Sequence, residues 1–409
     1  MPLLTNIRTL YRVPRDGGQG QVDAIDHAVL AWDQDHITYA GPADECPDEF
    51  DDGERINAGG RCAIPGLIDC HTHLSFGGWR SREFSQRLAG ESYQSIQAAG
   101  GGIASTLIRT RQASTEMLIN KAMLALEEMT NLGVTTVEAK SGYGLNREDE
   151  LKQLEVYREL NHLQALELVP TCLAAHLVPP EYAERREAYL DLLCNELIPE
   201  IAERKLARFF DVFIEEGAFS LAEARRVLNR AKELGLGLKI HADQLSAGSG
   251  ADLAAELGAV SAEHLEYASD EGRQAMAAAG TVAVTLPIAS LYLRERYVDA
   301  RKWIEAGVPV AVATDFNPGS APSLHLPLAL LLACLNQHMT PSEALKGATA
   351  MAARAIGLQD SHGSLLPGYQ ADVAIIDAPD IEHWLYHFRP NACVATIKRG
   401  EFIHRTPAI

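Results

Sequence analysis

The chain has 409 residues, 47% of them apolar, and a formal net charge of −19. That length and composition exceed one ordinary compact domain but suit a large barrel with an appendage and a sizeable core. The acidity argues against nucleic acid and anionic membranes as partners, and it means that an acidic substrate would need a local cation.

Taken in chain order, the N-terminal residues carry arginines within "MPLLTNIRTLYRVPRDGG" and lack a sustained apolar run, so no secretory leader is expected. The first sixty or so residues read as short strands. "AVLAWDQDHITYAGP" has two β-rich runs around a polar turn, which predicts a hairpin. After Ile64 the rhythm changes. "STEMLINKAMLALEEMTNLG" predicts a helix with a Ser/Thr start and Gly133 at its end, and "VTTVEAKSGYG" follows as a β-branched strand and glycine turn. The alternation repeats: "LAEARRVLNRAKELG" to "LGLKIHADQ", "GADLAAELG" to "AVSAEHLE", "EGRQAMAAAG" to "TVAVTLP", and "YVDARKWIEAG" to "VPVAVATDFNPGS". Repeated βα units imply a parallel sheet. Their number over some three hundred residues favours a (β/α)8 barrel, and no GxGxxG follows a strand to suggest dinucleotide binding. Near the C-terminus strands return, in "GSLLPGYQADVAIIDAP" and "CVATIKRGEFIH". The expected division is a small β domain from residues 1–63 and 365–409 around a catalytic barrel at 64–364.

The cysteines, Cys46, Cys62, Cys70, Cys172, Cys194, Cys334 and Cys393, are scattered and form no CxxC pair. Reduced thiols in a cytoplasm are expected, and no segment is apolar for a membrane-spanning length.

Active sites of such barrels lie at the C-terminal ends of the strands. Five chemistry-bearing residues stand where a strand pattern runs out: His71 and His73 in "LIDCHTHL", His241 after "LGLKI", His264 after "AVSAE" and Asp315 after "VPVAVAT". Residues i and i+2 of a strand share a face, so His71 and His73 aim at one point. A lone HxH is more often structural than a ligand pair. The joint placement on successive βα units is what predicts a metal site, with zinc or iron both suited and room left for a water. His176 and Lys140 also occupy strand ends. Lys140 is either a carboxylated bridge between two metals, the less favoured option, or a charge beside the substrate.

"PGLIDCHTHL" with the later histidines and aspartate resembles the amidohydrolase superfamily. "HTHLSFGGWR", "EF..RLAGESYQSI", "GGGIASTLIRTR", "EAKSGYGL", "KIHADQLS", "SAEHLEY" and "ATDFNPGS" resemble its imidazolonepropionase family over nearly the whole chain. The resemblance implies a distorted TIM barrel of the metal-dependent hydrolase type, with a small β-sandwich domain built from both chain termini. It implies hydrolysis of the cyclic amide of 4-imidazolone-5-propanoate to N-formimidoyl-L-glutamate, the third step of histidine degradation. It also implies one zinc or iron ion per subunit, held by His71, His73, His241 and Asp315, and a homodimer. Substrate would be held by Arg80, Tyr143, His176, Gln244 and Ser320, with Asn317 and Gly319 on the ring-opened product. A bound metal would lower the pKa of its water towards about 7. Asp315 would take a proton from that water, and His264 would stabilise the oxyanion or orient the water. Arg80 would supply the required cation, as a planar fork for the substrate's carboxylate.

Gln244 departs from the pattern, because some members of the family carry Glu there. Glutamine cannot shuttle a proton, so Gln244 is expected to orient the ring while protons pass through Asp315 or His264. Two alternatives share the ligand set: another amidohydrolase, such as a nucleobase deaminase or hydantoinase-like enzyme, and a non-catalytic relative.

Overall fold

The structure is a computed structural model and describes residues 1–50, 53–91, 95–96, 100–407 and 409. Part of one motif, "SYQ" at 92–94, lies outside the described residues.

Four strands come first: β1 (Leu3–Arg12), β2 (Asp23–Asp33), β3 (His36–Pro42) and β4 (Arg55–Pro65). The expected hairpin is β2–β3, closed at the Asp33–His36 pair. Eight strands follow, each but the last separated from the next by helix: β5 (Leu67–Asp69), β6 (Val134–Lys140), β7 (Glu167–Ala175), β8 (Phe209–Ile214), β9 (Gly237–Ala242), β10 (Ser261–His264), β11 (Val282–Thr285) and β12 (Val310–Val312). They form one parallel sheet in sequence order, β5 to β12. The chain ends with β13 (Val373–Ile376), β14 (Cys393–Lys398) and β15 (Glu401–Arg405).

The parallel sheet is drawn into a barrel where its first and last strands end. Thr314 donates through N–H (3.1 Å) and Oγ1 (2.6 Å) to the Asp69 carboxyl. Beyond it, Asp315 N–H donates to His71 O (3.1 Å) and His73 N–H to Phe316 O (2.8 Å). The same bonds that close the barrel therefore set His71, His73 and Asp315 side by side.

The helices stop and start as their sequences dictate. In the helix Thr115–Asn131, Ser114 Oγ accepts from Met117 N–H, and Gly133 takes the left-handed conformation (φ 90°) that ends it. Helix Leu221–Glu233 opens on a full capping box between Ser220 and Glu223. Among the described residues, no helix is long and apolar enough to cross a membrane.

The terminal strands make a separate seven-stranded sheet, ordered β15-β14-β13-β4-β1-β2-β3, in which only β1 and β4 are parallel. It is one continuous hydrogen-bonded sheet, buried on two faces by strict alternation. Ala63, Val373 and Ile375 point into its own core with Leu4, Leu30 and Trp32. Their neighbours Cys62, Ile64, Ala374 and Ile376 point into the barrel's core. All seven cysteines are free.

Candidate active site

A cavity of about 780 Å³ opens at the C-terminal ends of the barrel strands. His73, Arg80, Tyr143, His176, His241, Gln244, His264, Asp315, Asn317 and Ser320 all line it. The cavity thus brings together the residues singled out from the sequence except His71, Gly319 and Lys140, which do not line it.

His71 and His73 follow β5, His241 belongs to β9, and Asp315 follows β12 in a left-handed backbone conformation (φ 58°) that is costly for a residue with a Cβ. The Nε2 atoms of His71 and His73 each lie 3.4 Å from Asp315 Oδ1. The His71 and His241 rings are 4.6 Å apart, centre to centre. Nitrogens of His71, His241 and His264 also fall within 4.8 Å of one another.

The chemistry of this donor set fits a metal ion. All these groups are buried, yet Nε2 of His71 and of His241 has no hydrogen-bond partner among the described residues. Bare imidazole nitrogens in a dry interior are costly unless something accepts their lone pairs. Burial, aided by the neighbouring His71, holds His241 well below its usual pKa, and burial pushes His73 down to about 4, so both keep a lone pair for a metal. Burial alone would raise Asp315, but the adjoining His71 and His73 outweigh it and keep the carboxylate ionised.

Behind the imidazoles stands a layer that the strand-end search missed. Asp211 Oδ2 lies 3.0 Å from His241 Nδ1, and Glu263 Oε2 lies 3.4 Å from His71 Nδ1. Carboxylates in that place fix the tautomer and orientation of metal-binding histidines. Lys140 belongs to this layer rather than to the substrate cavity. Its ammonium is fully buried and donates to Asp211 (2.8 Å), Glu138 (3.1 Å) and Glu263 (3.1 Å). Lys239 donates to Glu263 (2.9 Å) and to Ser261 Oγ (2.9 Å). Lys140 is thus neither a bridge between two metals nor a charge beside the substrate, but an internal counter-ion. One signal was available: Glu138, Asp211 and Lys239 are each flanked in the sequence by apolar residues on both sides.

The "KSGYGL" turn is shaped by a helix that follows it. Glu150 accepts from the N–H groups of Gly142 (3.1 Å), Gly144 (2.8 Å) and Leu145 (2.8 Å), while Gln153 Oε1 accepts from Tyr143 N–H (3.0 Å). This presents the Tyr143 ring, 3% exposed, beside His176 at 5.6 Å and His73 at 5.7 Å between centres. His176 Nδ1 pairs with Gly142 O (3.0 Å), and burial pushes its pKa down to about 3.

Across the cavity, Arg80 is 8% exposed, and its Nε and Nη1 have no hydrogen-bond partner among the described residues. Glu83 stands 3.6 Å from Nε. In the "DFNPGS" loop, Asn317 spends its amide on the loop itself. Nδ2 donates to Asp315 O (2.7 Å) and Ser320 Oγ (2.8 Å), and Oδ1 accepts from the N–H groups of Gly319 and Ser320 (both 2.8 Å). Four bonds are all that a primary amide usually makes.

A catalytic barrel with histidines and an aspartate at its strand ends is the form of a metal-dependent hydrolase, and comparison with known proteins agrees. Residues 62–403 match the amidohydrolase family model, and the chain belongs to the amidohydrolase family. It is 49% identical to the imidazolonepropionase of Symbiobacterium thermophilum over 97% of this chain and 94% of that one. It is 48% identical to the imidazolonepropionase of Geobacillus thermodenitrificans over 93% and 90%. Within the amidohydrolases the chain is a member of the imidazolonepropionase family. Among solved structures it resembles a mutant of atrazine chlorohydrolase TrzN from Arthrobacter aurescens TC1, in complex with zinc and atraton, with a TM-score of 0.74 at 17% identity over 99% and 95% of the two chains. It also resembles a guanine deaminase from C. acetobutylicum, with a TM-score of 0.72 at 15% identity over 98% and 99%. Those two likenesses concern the fold.

Proposed function

We propose that this hydrolase opens the ring of 4-imidazolone-5-propanoate with water to give N-formimidoyl-L-glutamate, the third step of histidine degradation. The observation that carries this reading is Arg80: a buried guanidinium with unused donors, in the same cavity as the imidazole–Asp315 cluster. In an acidic chain, a cation there supports a carboxylate-bearing ring as substrate. A bare nucleobase carries no such carboxylate, which weighs against the deaminase alternative.

His71, His73, His241 and Asp315 would hold a single zinc or iron ion, which when bound supplies Lewis acidity and a water of lowered pKa. The chain's own groups do the rest. Arg80 grips the propanoate, while Tyr143, His176, Gln244 and Ser320 orient the ring, with Asn317 and Gly319 shaping the wall that meets the product. Water adds to the ring carbonyl, the carbonyl C–N bond breaks, and the leaving nitrogen takes up a proton. Asp315, ionised, accepts the proton released by water and returns it to that nitrogen. His264 stabilises the oxyanion that develops on the carbonyl oxygen. The protein is taken to act in the cytoplasm as a homodimer, symmetric dimers being the commonest oligomers.

The test is to mix purified protein with freshly made 4-imidazolone-5-propanoate, with and without a strong chelator, and to follow N-formimidoyl-L-glutamate by mass spectrometry. Chelator-sensitive product is expected. No product from folded, metal-loaded protein would overturn the reading.

A further inference from the structure

Behind His264 sits a carboxyl group for which the chemistry above has no use. The chain leaves β10 through two left-handed residues, His264 (φ 75°) and Leu265 (φ 73°). Such backbone is unfavourable for residues with a Cβ and persists where the surroundings impose it. Here two bonds to the neighbouring strand and its extension impose it: Leu265 N–H donates to Ala242 O (3.0 Å), and Tyr267 N–H donates to Asp243 O (2.8 Å). Glu266 is thereby turned back towards the imidazole two residues before it.

One oxygen of Glu266, Oε1, accepts from Ser290 Oγ at 3.2 Å. The other, Oε2, lies 3.8 Å from His264 Nδ1. Both of these atoms are buried, and neither has a hydrogen-bond partner among the described residues. Two bare polar atoms facing each other in a dry interior are a hydrogen bond that a small shift closes. No lysine or arginine among the described residues pairs with Glu266. A buried carboxyl with no cation stays neutral, and burial, with like charge from Asp315 and Glu295, pushes Glu266 up to about 8. With Oε1 paired to Ser290, Oε2 is the oxygen left to carry that proton towards Nδ1. A neutral imidazole that accepts at Nδ1 carries its one proton on Nε2.

We propose that Glu266 donates a hydrogen bond to His264 Nδ1 and so fixes the tautomer with the proton on Nε2, making His264 a neutral hydrogen-bond donor to the reacting carbonyl. Glu266 is a positioning residue; it does not line the cavity and acts through His264. No proton is transferred at this pair, and His264 is excluded as a general base, which would need a bare Nε2. The inference rests on the reading of His264 as the group that meets the oxyanion.

Zinc-loaded protein labelled with ¹⁵N-histidine tests it without reference to turnover. The His264 signals are assigned by their loss in His264→Asn, and the spectrum tells a protonated ring nitrogen from a bare one. The wild type is expected to carry the proton on Nε2; a proton on Nδ1, or on both nitrogens, would overturn the proposal. In kinetics, Glu266→Leu is expected to lower kcat about 10- to 100-fold with KM nearly unchanged, the usual effect of removing a group that orients a catalytic histidine. Glu266→Gln, whose amide can still donate to Nδ1, is expected to restore most of that loss. Full activity in Glu266→Leu, or a folded Glu266→Gln as poor as Glu266→Leu, would refute the role. Should Glu266→Leu fail to fold, the wild-type spectrum and Glu266→Gln still decide. Should the protein turn over a different cyclic amide, the tautomer is still read directly, so the two readings fail separately.

Discussion

The guanidinium of Arg80 lies directly against Gly319: a Cβ at position 319 would come within 1.0 Å of Arg80 Nη2 and 1.8 Å of Cζ. Glycine is needed here for space. Gly319→Ala should therefore push Arg80 out of place while leaving the imidazole–Asp315 cluster intact. Charge-assisted hydrogen bonds contribute about 1.5–3 kcal/mol each, so KM for the imidazolone is expected to rise roughly 10- to 100-fold, with a smaller change in kcat. An unchanged KM would show that Arg80 does not hold the substrate carboxylate.

Gln244 lines the cavity three residues after His241 and is only half-buried. On the reading that Asp315 carries the proton, the route does not need an acid at 244. Gln244→Glu should change kcat by no more than about tenfold. A gain of several orders of magnitude would mean that the wild type lacks a proton carrier that Glu provides.

Lys140 neutralises three carboxylates. In Lys140→Met, Lys239 still serves Glu138 and Glu263, but Asp211 is left with no ammonium partner. Removing one partner of a buried ion pair costs about 3–5 kcal/mol. The urea midpoint of unfolding should fall accordingly, and an unaltered midpoint would contradict the burial of an ion cluster here.

His176 gives a pH dependence whose sign can be worked out. Burial, with help from His73, pushes its pKa down to about 3 in the folded protein, against about 6.5 for an unfolded chain. Between those values the unfolded chain binds more protons at this position, so folded stability is lost as pH falls below about 6.5. The slope reaches about 1.4 kcal/mol per pH unit. The variant His176→Asn lacks this term. The difference in unfolding free energy between wild type and variant should be flat above about pH 7.5 and move against the wild type as pH falls below 6.5. A difference that does not vary with pH would refute the assignment.

The barrel was legible because its helices carry their own stop signals, as Gly133 does, and its strands break into polar residues where they end. His71, His241, His264 and Asp315 all sit at such breaks, so a rule about strand ends found them. Asp211, Glu263 and Lys239 were missed because the rule looks past the strand, whereas these residues lie within it, pointing inward where a hydrophobic pattern promises apolar packing. Their partners come from other strands: Lys140 meets Asp211 across 71 positions and Glu263 across 123. No local pattern records such a meeting. Glu150 escaped for a similar reason, since it reads as an ordinary acidic residue in a helix's first turn until the loop folds over it.

The two lysines under the imidazole–Asp315 cluster bear on the order in which the molecule is made. Three carboxylates packed together in the barrel's interior would repel one another in a nascent chain and wait on an external cation. Lys140 and Lys239 arrive with the polypeptide, at fixed stoichiometry, whatever ions the cell has in supply. The scaffold can therefore close without waiting for an ion, and the metal proposed above would enter a barrel already built.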